Sequence, residues 1–239
     1  SGESDDVLQD EYLQLELDDA VEVIDWIAAQ KWCDGTIGMM GKSWGGFNCL
    51  QVAAMRPKQL KAVLSVCSTD DRYRDDIHYM GGCLLNDNQW WGDIMLAYQS
   101  RPADPALFGP GWKDNWLKRI AGMPFWPALW MRHPTRDAYW KHGSICEDYG
   151  AIQCPVYLVG GWADAYTNAI PRMLEHLKVP RKAMIGPWAH IYPHDGVPGP
   201  AIGFLQEAVK WWDRWLKGQE NDIMDGPMLW AWLEDSERP

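Results

Sequence analysis

Ser43 lies in Gly41-Lys42-Ser43-Trp44-Gly45, between the apolar run at 36–40 and a helix-like stretch from Phe47 to Met55. A serine hydroxyl is a poor nucleophile at neutral pH, so a base must take its proton during attack. A histidine suits that task, and it needs a carboxylate to fix its tautomer and to stabilise the imidazolium that forms. Two later loops supply these types, Gly161-Trp162-Ala163-Asp164 and Gly186-Pro187-Trp188-Ala189-His190. Gly-x-Ser-x-Gly arises often by chance. The weight therefore rests on the chain order of Ser43, Asp164 and His190, each just beyond a run that reads as a strand. The flanking glycines are expected to be steric, because a Cβ two residues before or after the serine would crowd so tight a turn.

Each role has a competitor. Ser43 could be structural in a glycine-rich turn, and Asp164 could merely cap one. Asp70 or Asp71, in Cys67-Ser68-Thr69-Asp70-Asp71, follows the preceding strand and offers a second place for the acid. His194 competes with His190 but stands farther from its strand. The histidines at 78, 133, 142 and 176 are read as surface or packing residues.

The elements that must position these groups alternate. Ala20, Val23, Ile24, Ile27 and Ala28 recur at helical spacing behind Asp18 and Asp19, which are placed to cap a helix ending near Gln30. A strand at 36–40, a helix to Met55 stopped at Arg56-Pro57, and a strand at 60–67 follow. This rhythm predicts an α/β fold with a parallel sheet and crossover helices, whose functional groups collect at the carboxyl ends of the strands. From 71 to 150 the rhythm breaks: seven tryptophans interleave with prolines, and 87–99 and 112–121 look helical. That stretch reads as an all-helical, cap-like insertion, the alternative being a small second domain with its own core. The alternation resumes with strands at 155–160 and 182–185 and helices at 169–178 and from Phe204 to Lys217. The expected division is 1–70 and 151–226 as the two parts of the core, 71–150 as the cap, and 227–239 as the start of a further β domain.

A net charge of −11 over 239 residues argues against nucleic acid or an anionic membrane as partner. No apolar stretch approaches the roughly 20 residues of a transmembrane helix. The six cysteines (33, 49, 67, 83, 146 and 154) show neither CxxC nor metal-ligand spacing, and Cys67 reads as a buried free thiol. They lean towards a reducing, cytoplasmic setting. No cofactor or metal is implied, and self-association into a homo-oligomer stays open.

Longer signatures carry a resemblance. Asp19-x5-Asp25-Trp26, Gln30-Lys31-Trp32-Cys33-Asp34-Gly35, Gly41-x-Ser43-x-x-Gly46, Gly161-Trp162-x-Asp164 and Gly186-Pro187-Trp188-x-His190 together resemble the cocaine-esterase and X-prolyl dipeptidyl-peptidase family of serine hydrolases. The resemblance implies an α/β-hydrolase core, a helical cap inserted before the acid-bearing strand, and a following jelly-roll domain. It makes Ser43 similar to the family nucleophile, Asp164 to its acid and His190 to its base, acting on a small-molecule ester, amide or short peptide. Esterase and X-prolyl peptidase stay open. A peptidase needs a carboxylate for the substrate's amino terminus, with Asp75, Asp76, Asp87, Asp93, Glu147 and Asp148 as candidates. A non-catalytic binding module on the same fold is the alternative from another class.

The chain departs from the family at Trp44, where a tyrosine is usual. The backbone N–H at that position is the implied oxyanion donor, so the exchange is expected to alter pocket shape rather than chemistry. The family's second donor, a tyrosine hydroxyl, belongs to a segment before Ser1-Gly2-Glu3-Ser4. The 239 residues are therefore expected to be a piece of a longer protein, with Met228 to Leu233 as the first jelly-roll strand. Alone they are expected to be poorly soluble and nearly inactive, since one lost donor costs about a hundred- to a thousandfold.

Overall fold

A computed structural model describes residues 2–4 and 7–235. In chain order its elements are α1 (Gln14–Ala28), β1 (Ile37–Lys42), α2 (Trp44–Met55), β2 (Leu60–Val66), β3 (Tyr79–Met80), β4 (Cys83–Leu84), α3 (Asp87–Gln99), α4 (Pro105–Phe108), α5 (Trp112–Gly122) and α6 (Trp126–Trp130). They continue with β5 (Val156–Gly161), α7 (Ala169–His176), β6 (Arg181–Gly186), α8 (Phe204–Lys217) and β7 (Leu229–Ala231). The fold is α/β, with a parallel sheet in the order β1-β2-β5-β6-β7 and helices on both faces.

Strands buried on both faces read as continuous apolar runs, and β2 shows how the two faces divide. Val63 joins Val156 and Leu158 of β5 against Leu50 and Ala53 of α2 and Ile170 and Met173 of α7. Ala62, Leu64 and Val66 join Tyr157 and Val159 against Phe204, Ala208 and Trp211 of α8. The period-two alternation of strand side chains thus assigns each helix its face. Arg56, left-handed at φ 60° and followed by Pro57, stops α2, and Gly218 at φ 66° stops α8.

Three expectations change. α1 starts at Gln14 rather than after Asp19, and no side chain of its N-cap residue, Leu13, caps it. Glu16, inside the first turn, accepts from the Tyr12 N–H instead (3.1 Å), so Asp18 and Asp19 lie within the helix. The segment at 71–150 is not all-helical: the β3–β4 hairpin and several 3-10 turns accompany α3 to α6. Tyr79 of the hairpin packs with Trp126, Trp130 and Trp140 in a buried aromatic cluster, against which Trp44 rests. The last strand, β7, pairs parallel with β6 and extends the main sheet instead of opening a separate one. Residues 236–239, which the sequence assigns to a charged tail, lie outside the described residues.

Candidate active site

Ser43 follows β1 directly and starts α2 at φ 58°, ψ −125°. Non-glycine residues rarely adopt positive φ, and such strain of about 1–3 kcal/mol persists only where the surroundings impose it. Here the Ser43 N–H continues the β1–β2 pairing by donating to Val66 O (2.9 Å), while Ser43 O accepts the first helical bond, from Phe47 N (2.9 Å). The residue is held by the sheet on one side and the helix on the other. Gly41 makes the turn possible, because a Cβ there would stand 2.6 Å from Gly45 Cα. Gly45 behaves otherwise: nothing lies within 4 Å of where its Cβ would be. The second steric glycine is Gly46, whose Cβ would meet Val66 O at 2.7 Å.

Asp164 and His190 stand on loops beyond β5 and β6 that are stitched together. Trp162 N donates to Gly186 O (2.8 Å) and Ala163 N to Trp188 O (3.1 Å). The loops run so close that a Cβ on Gly161 would sit 2.6 Å from the Trp188 carbonyl carbon. The Trp162 indole donates to Trp232 O (2.7 Å), tying the acid loop to the chain just past β7. With its proton on Nδ1, His190 donates to Asp164 Oδ1 at 2.9 Å. The Asp164 side chain is 2% exposed and that of His190 41%. Asp164 Oδ2 is buried without a hydrogen-bond partner among the described residues.

The competitors are engaged elsewhere. Asp70, fully buried, holds Arg172 (Nε to Oδ2 2.9 Å) and the Tyr149 hydroxyl. Asp71 pairs with Arg136 at 3.0 Å. His194 stacks on Phe204, 5.9 Å between ring centroids, with Asp195 as its nearest acid.

Ser43, Asp164 and His190 share the wall of one cavity of about 450 Å³. No hydrogen bond joins Ser43 Oγ to His190 among the described residues; such bonds are often long before substrate binds. The Trp44 backbone N–H belongs to the first turn of α2, where no intrahelical acceptor exists. Its indole is held by Glu16, which also accepts from Asn48 Nδ2 (2.9 Å). Tyr12 and Trp91 flank that indole, with centroids at 5.0 and 5.7 Å. Trp90 and Trp91 complete an aromatic wall.

Of the six carboxylates considered for an amino terminus, Asp76 and Asp87 line this cavity. Asp75 pairs with Arg172 and Glu147 with Arg136. Asp76 is buried and accepts from the Tyr166 hydroxyl (3.3 Å). Burial pushes its carboxyl up to about 6, with nearby Glu11 adding to the rise and His78 opposing it. Nearby, Glu11 binds Arg72 (2.6 Å) and His78 (2.5 Å), all three buried, and accepts from the part-buried Trp91 indole (3.1 Å).

Sequence reasoning passed over Tyr12 and Tyr166, cavity residues that carry no motif. Tyr12 has a left-handed φ of 56°, which no residue pattern announces. Cys67, read as a buried thiol, is buried, and it stands beside Asp164 and His190.

The family described as X-Pro dipeptidyl-peptidase (S15 family) matches residues 1–192. A cocaine esterase from Rhodococcus sp. (strain MB1 Bresler) is 27% identical over 197 residues, covering 72% of this chain and 34% of the esterase. A Bacillus cereus protein bearing the name Xaa-Pro dipeptidyl-peptidase is 25% identical over 228 residues, 87% of this chain and 36% of that one. The chain thus spans about a third of the length of these relatives. Among solved structures, a CocE/NonD family hydrolase from Staphylococcus aureus superposes with a TM-score of 0.77 at 21% identity. That alignment covers 97% of this chain and 37% of the other, and it shows a shared fold.

Proposed function

The chain belongs to the X-Pro dipeptidyl-peptidase (S15) family of hydrolases, and from that premise we propose that Ser43, His190 and Asp164 form a triad cleaving an ester or amide through an acyl-enzyme. The observation that carries the reading is the 2.9 Å bond from His190 Nδ1 to a nearly fully buried Asp164, on the wall of the cavity that also holds Ser43.

Ser43 Oγ attacks the substrate carbonyl while His190 Nε2 takes the hydroxyl proton. Asp164 keeps the imidazole in the tautomer that presents Nε2 as acceptor and stabilises the resulting imidazolium. The oxyanion draws on the Trp44 N–H and the positive end of α2. His190 then gives its proton to the leaving alcohol or amine. Water, deprotonated by His190, attacks the acyl carbon and releases Ser43.

Asp76 and Asp87 on the cavity wall favour a substrate carrying a protonated amine, as an X-prolyl dipeptide does. The aromatic wall of Trp44, Trp90 and Trp91 supports a second reading, an aryl or other apolar acyl ester. A membrane substrate is not invoked, and no helix of the described residues is long and apolar enough to cross a bilayer.

The test is fluorophosphonate labelling and turnover in the full-length protein, with Ser43→Ala alongside. Labelling at Ser43, abolished in the variant together with hydrolysis, is expected. Undiminished hydrolysis by Ser43→Ala would exclude the mechanism, and ligand-induced stabilisation without labelling would point to a binding module. Comparing a Gly-Pro anilide with p-nitrophenyl esters separates the two substrate classes.

A further inference from the structure

Two clusters of metal-ligating side chains lie near the cavity among the described residues, and they differ in one respect. Glu11, Asp76 and His78 already hold a cation, the Arg72 guanidinium 2.6 Å from Glu11. Cys67, Asp164 and His190 hold none. Each offers one ligand atom, and these lie within 4.8 Å of one another.

Two further observations bear on the second cluster. Asp164 Oδ2, in a side chain only 2% exposed, has no partner at hydrogen-bond geometry among the described residues, a costly condition for a carboxylate oxygen, and the Cys67 thiol is the neighbour that feels the Asp164 charge. Cys67 follows β2 at φ 51°, a left-handed conformation for a residue with a Cβ; its backbone N–H donates to Val159 O at 2.8 Å, while its thiol reaches Ile191 O at a long 3.9 Å. Burial, and then the Asp164 charge, hold its thiol well above the ordinary range.

We propose that Cys67 Sγ, Asp164 and His190 Nδ1 form an inhibitory site for a borderline-soft divalent cation, with zinc(II) the best-fitting occupant. One sulfur, one nitrogen and one oxygen are the donors zinc takes, and bonds of about 2.0–2.3 Å place tetrahedral ligands roughly 3.3–3.8 Å apart. Shifts of about 1 Å therefore close the present spacing. The fourth position opens to the cavity, and the ion enters past the half-exposed imidazole. Zinc displaces the thiol proton to solvent, forming the Zn–S bond. Thiolate, carboxylate and zinc then sum to zero charge, as a buried site requires. The Lys42 ammonium donates to His190 O at 3.3 Å, and its charge favours the Cys67 thiolate.

Inhibition follows from the tautomer. Zinc on Nδ1 takes the lone pair there and leaves the imidazole proton on Nε2, so His190 can no longer accept from Ser43. Binding needs only the local geometry, whereas its inhibitory effect rests on the triad reading.

The experiment titrates the protein with cobalt(II) as a spectroscopic stand-in and then displaces it with zinc(II). A thiolate-to-cobalt charge-transfer band with tetrahedral d–d bands is expected, retained in Ser43→Ala and lost in Cys67→Ser. Losing even an outer partner weakens a metal site roughly ten- to a hundredfold, so Cys67→Ser should weaken zinc binding by about a hundredfold or more. Zinc should also block fluorophosphonate labelling of the wild type and leave that of Cys67→Ser unaffected. Absence of a thiolate band in the wild type would overturn the site whatever the variants do, as would unchanged zinc affinity in Cys67→Ser. Because the band is read without turnover, its loss or retention is independent of whether Ser43 is a nucleophile.

Discussion

Replacing Gly41, Gly45 and Gly46 singly by alanine separates a turn made by sterics from a turn made by sequence pattern. A Cβ on Gly41 would stand 2.6 Å from Gly45 Cα and nearer still to the Gly45 carbonyl, about an ångström inside the optimum for carbon contacts of roughly 3.5–4.0 Å. Those neighbours are backbone, so no rotamer change relieves the overlap and the turn must open. Overpacking of this sort costs about 1–3 kcal/mol. It falls on a turn that already holds Ser43 at φ 58°, so the cheapest relief is to surrender that conformation. Gly46 is closed as well, by Val66 O at 2.7 Å and Ser68 Cβ at 3.0 Å. Gly45 faces open space, and within a helix alanine is favoured over glycine by up to about 1 kcal/mol. For a chain of this length, 1–3 kcal/mol corresponds to a fall in Tm of about 2–12 °C. Gly41→Ala and Gly46→Ala should show such a fall. Gly41→Ala should also lose fluorophosphonate reactivity, by about a hundredfold if Ser43 moves by about 1 Å. Gly45→Ala should keep the wild-type labelling rate, with a Tm unchanged or raised by up to about 4 °C. If Gly45→Ala is as damaging as Gly41→Ala, or Gly41→Ala behaves as wild type, the steric account fails.

Further predictions concern charge. Asp164→Asn should reduce turnover about ten-thousandfold with little change in Tm, because the imidazole loses its tautomer partner. Asp70→Asn should do the reverse, costing about 1–3 kcal/mol in denaturant unfolding with labelling of Ser43 retained, because Arg172 loses the buried one of its two carboxylate partners and keeps Asp75. Burial alone would push the Glu11 carboxyl up, but the His78 and Arg72 charges hold it at about 2 against an ordinary 4.5. A depressed carboxyl contributes stability present above pH 4.5 and lost as pH falls towards 2, so Glu11→Gln, less stable at pH 6, should show a flatter loss across that window. Asp76 is shifted the other way, from 3.8 to about 6, so its ionised form opposes folding above pH 6. Asp76→Asn should therefore gain stability at pH 7.5 relative to wild type, keep little of that gain below pH 4, and lose any preference for amine-bearing substrates.

The sheet was legible because its strands are short apolar runs closed by turn residues, and all five fall within two residues of their expected bounds. The start of α1 was not, since its cap is an interior glutamate reaching back to the Tyr12 N–H rather than an aspartate ahead of the helix. The hairpin of Tyr79–Met80 and Cys83–Leu84 was missed for want of length: two-residue strands carry no alternation to read. The ion network around Glu11 has no sequence signature at all. Glu11, Arg72 and His78 meet only once the cap closes over the start of the chain, and the partners then lie some sixty residues apart.

The choice of acid shows where chain order runs out. Asp70 follows β2 and Asp164 follows β5, and these strands are hydrogen-bonded neighbours in the sheet. A histidine on the loop after β6 could be served from either by order alone. What separates them is Arg172 on α7, which reaches back to Asp70 through Nε at 2.9 Å while the Tyr149 hydroxyl donates a further hydrogen bond to it from the cap side. A carboxylate so occupied has no lone pair directed at an imidazole. Asp164 is the converse: its loop is drawn against the His190 loop through Ala163 and Trp188, one oxygen meets Nδ1, and the other has no hydrogen-bond partner among the described residues. The proposed role of Asp164 over Asp70 therefore draws its support from a cation contributed by a helix that the motifs never mention. Charge-reversing or shortening Arg172 should free Asp70 without moving Asp164, so such a variant is expected to lose stability while retaining its reactivity at Ser43.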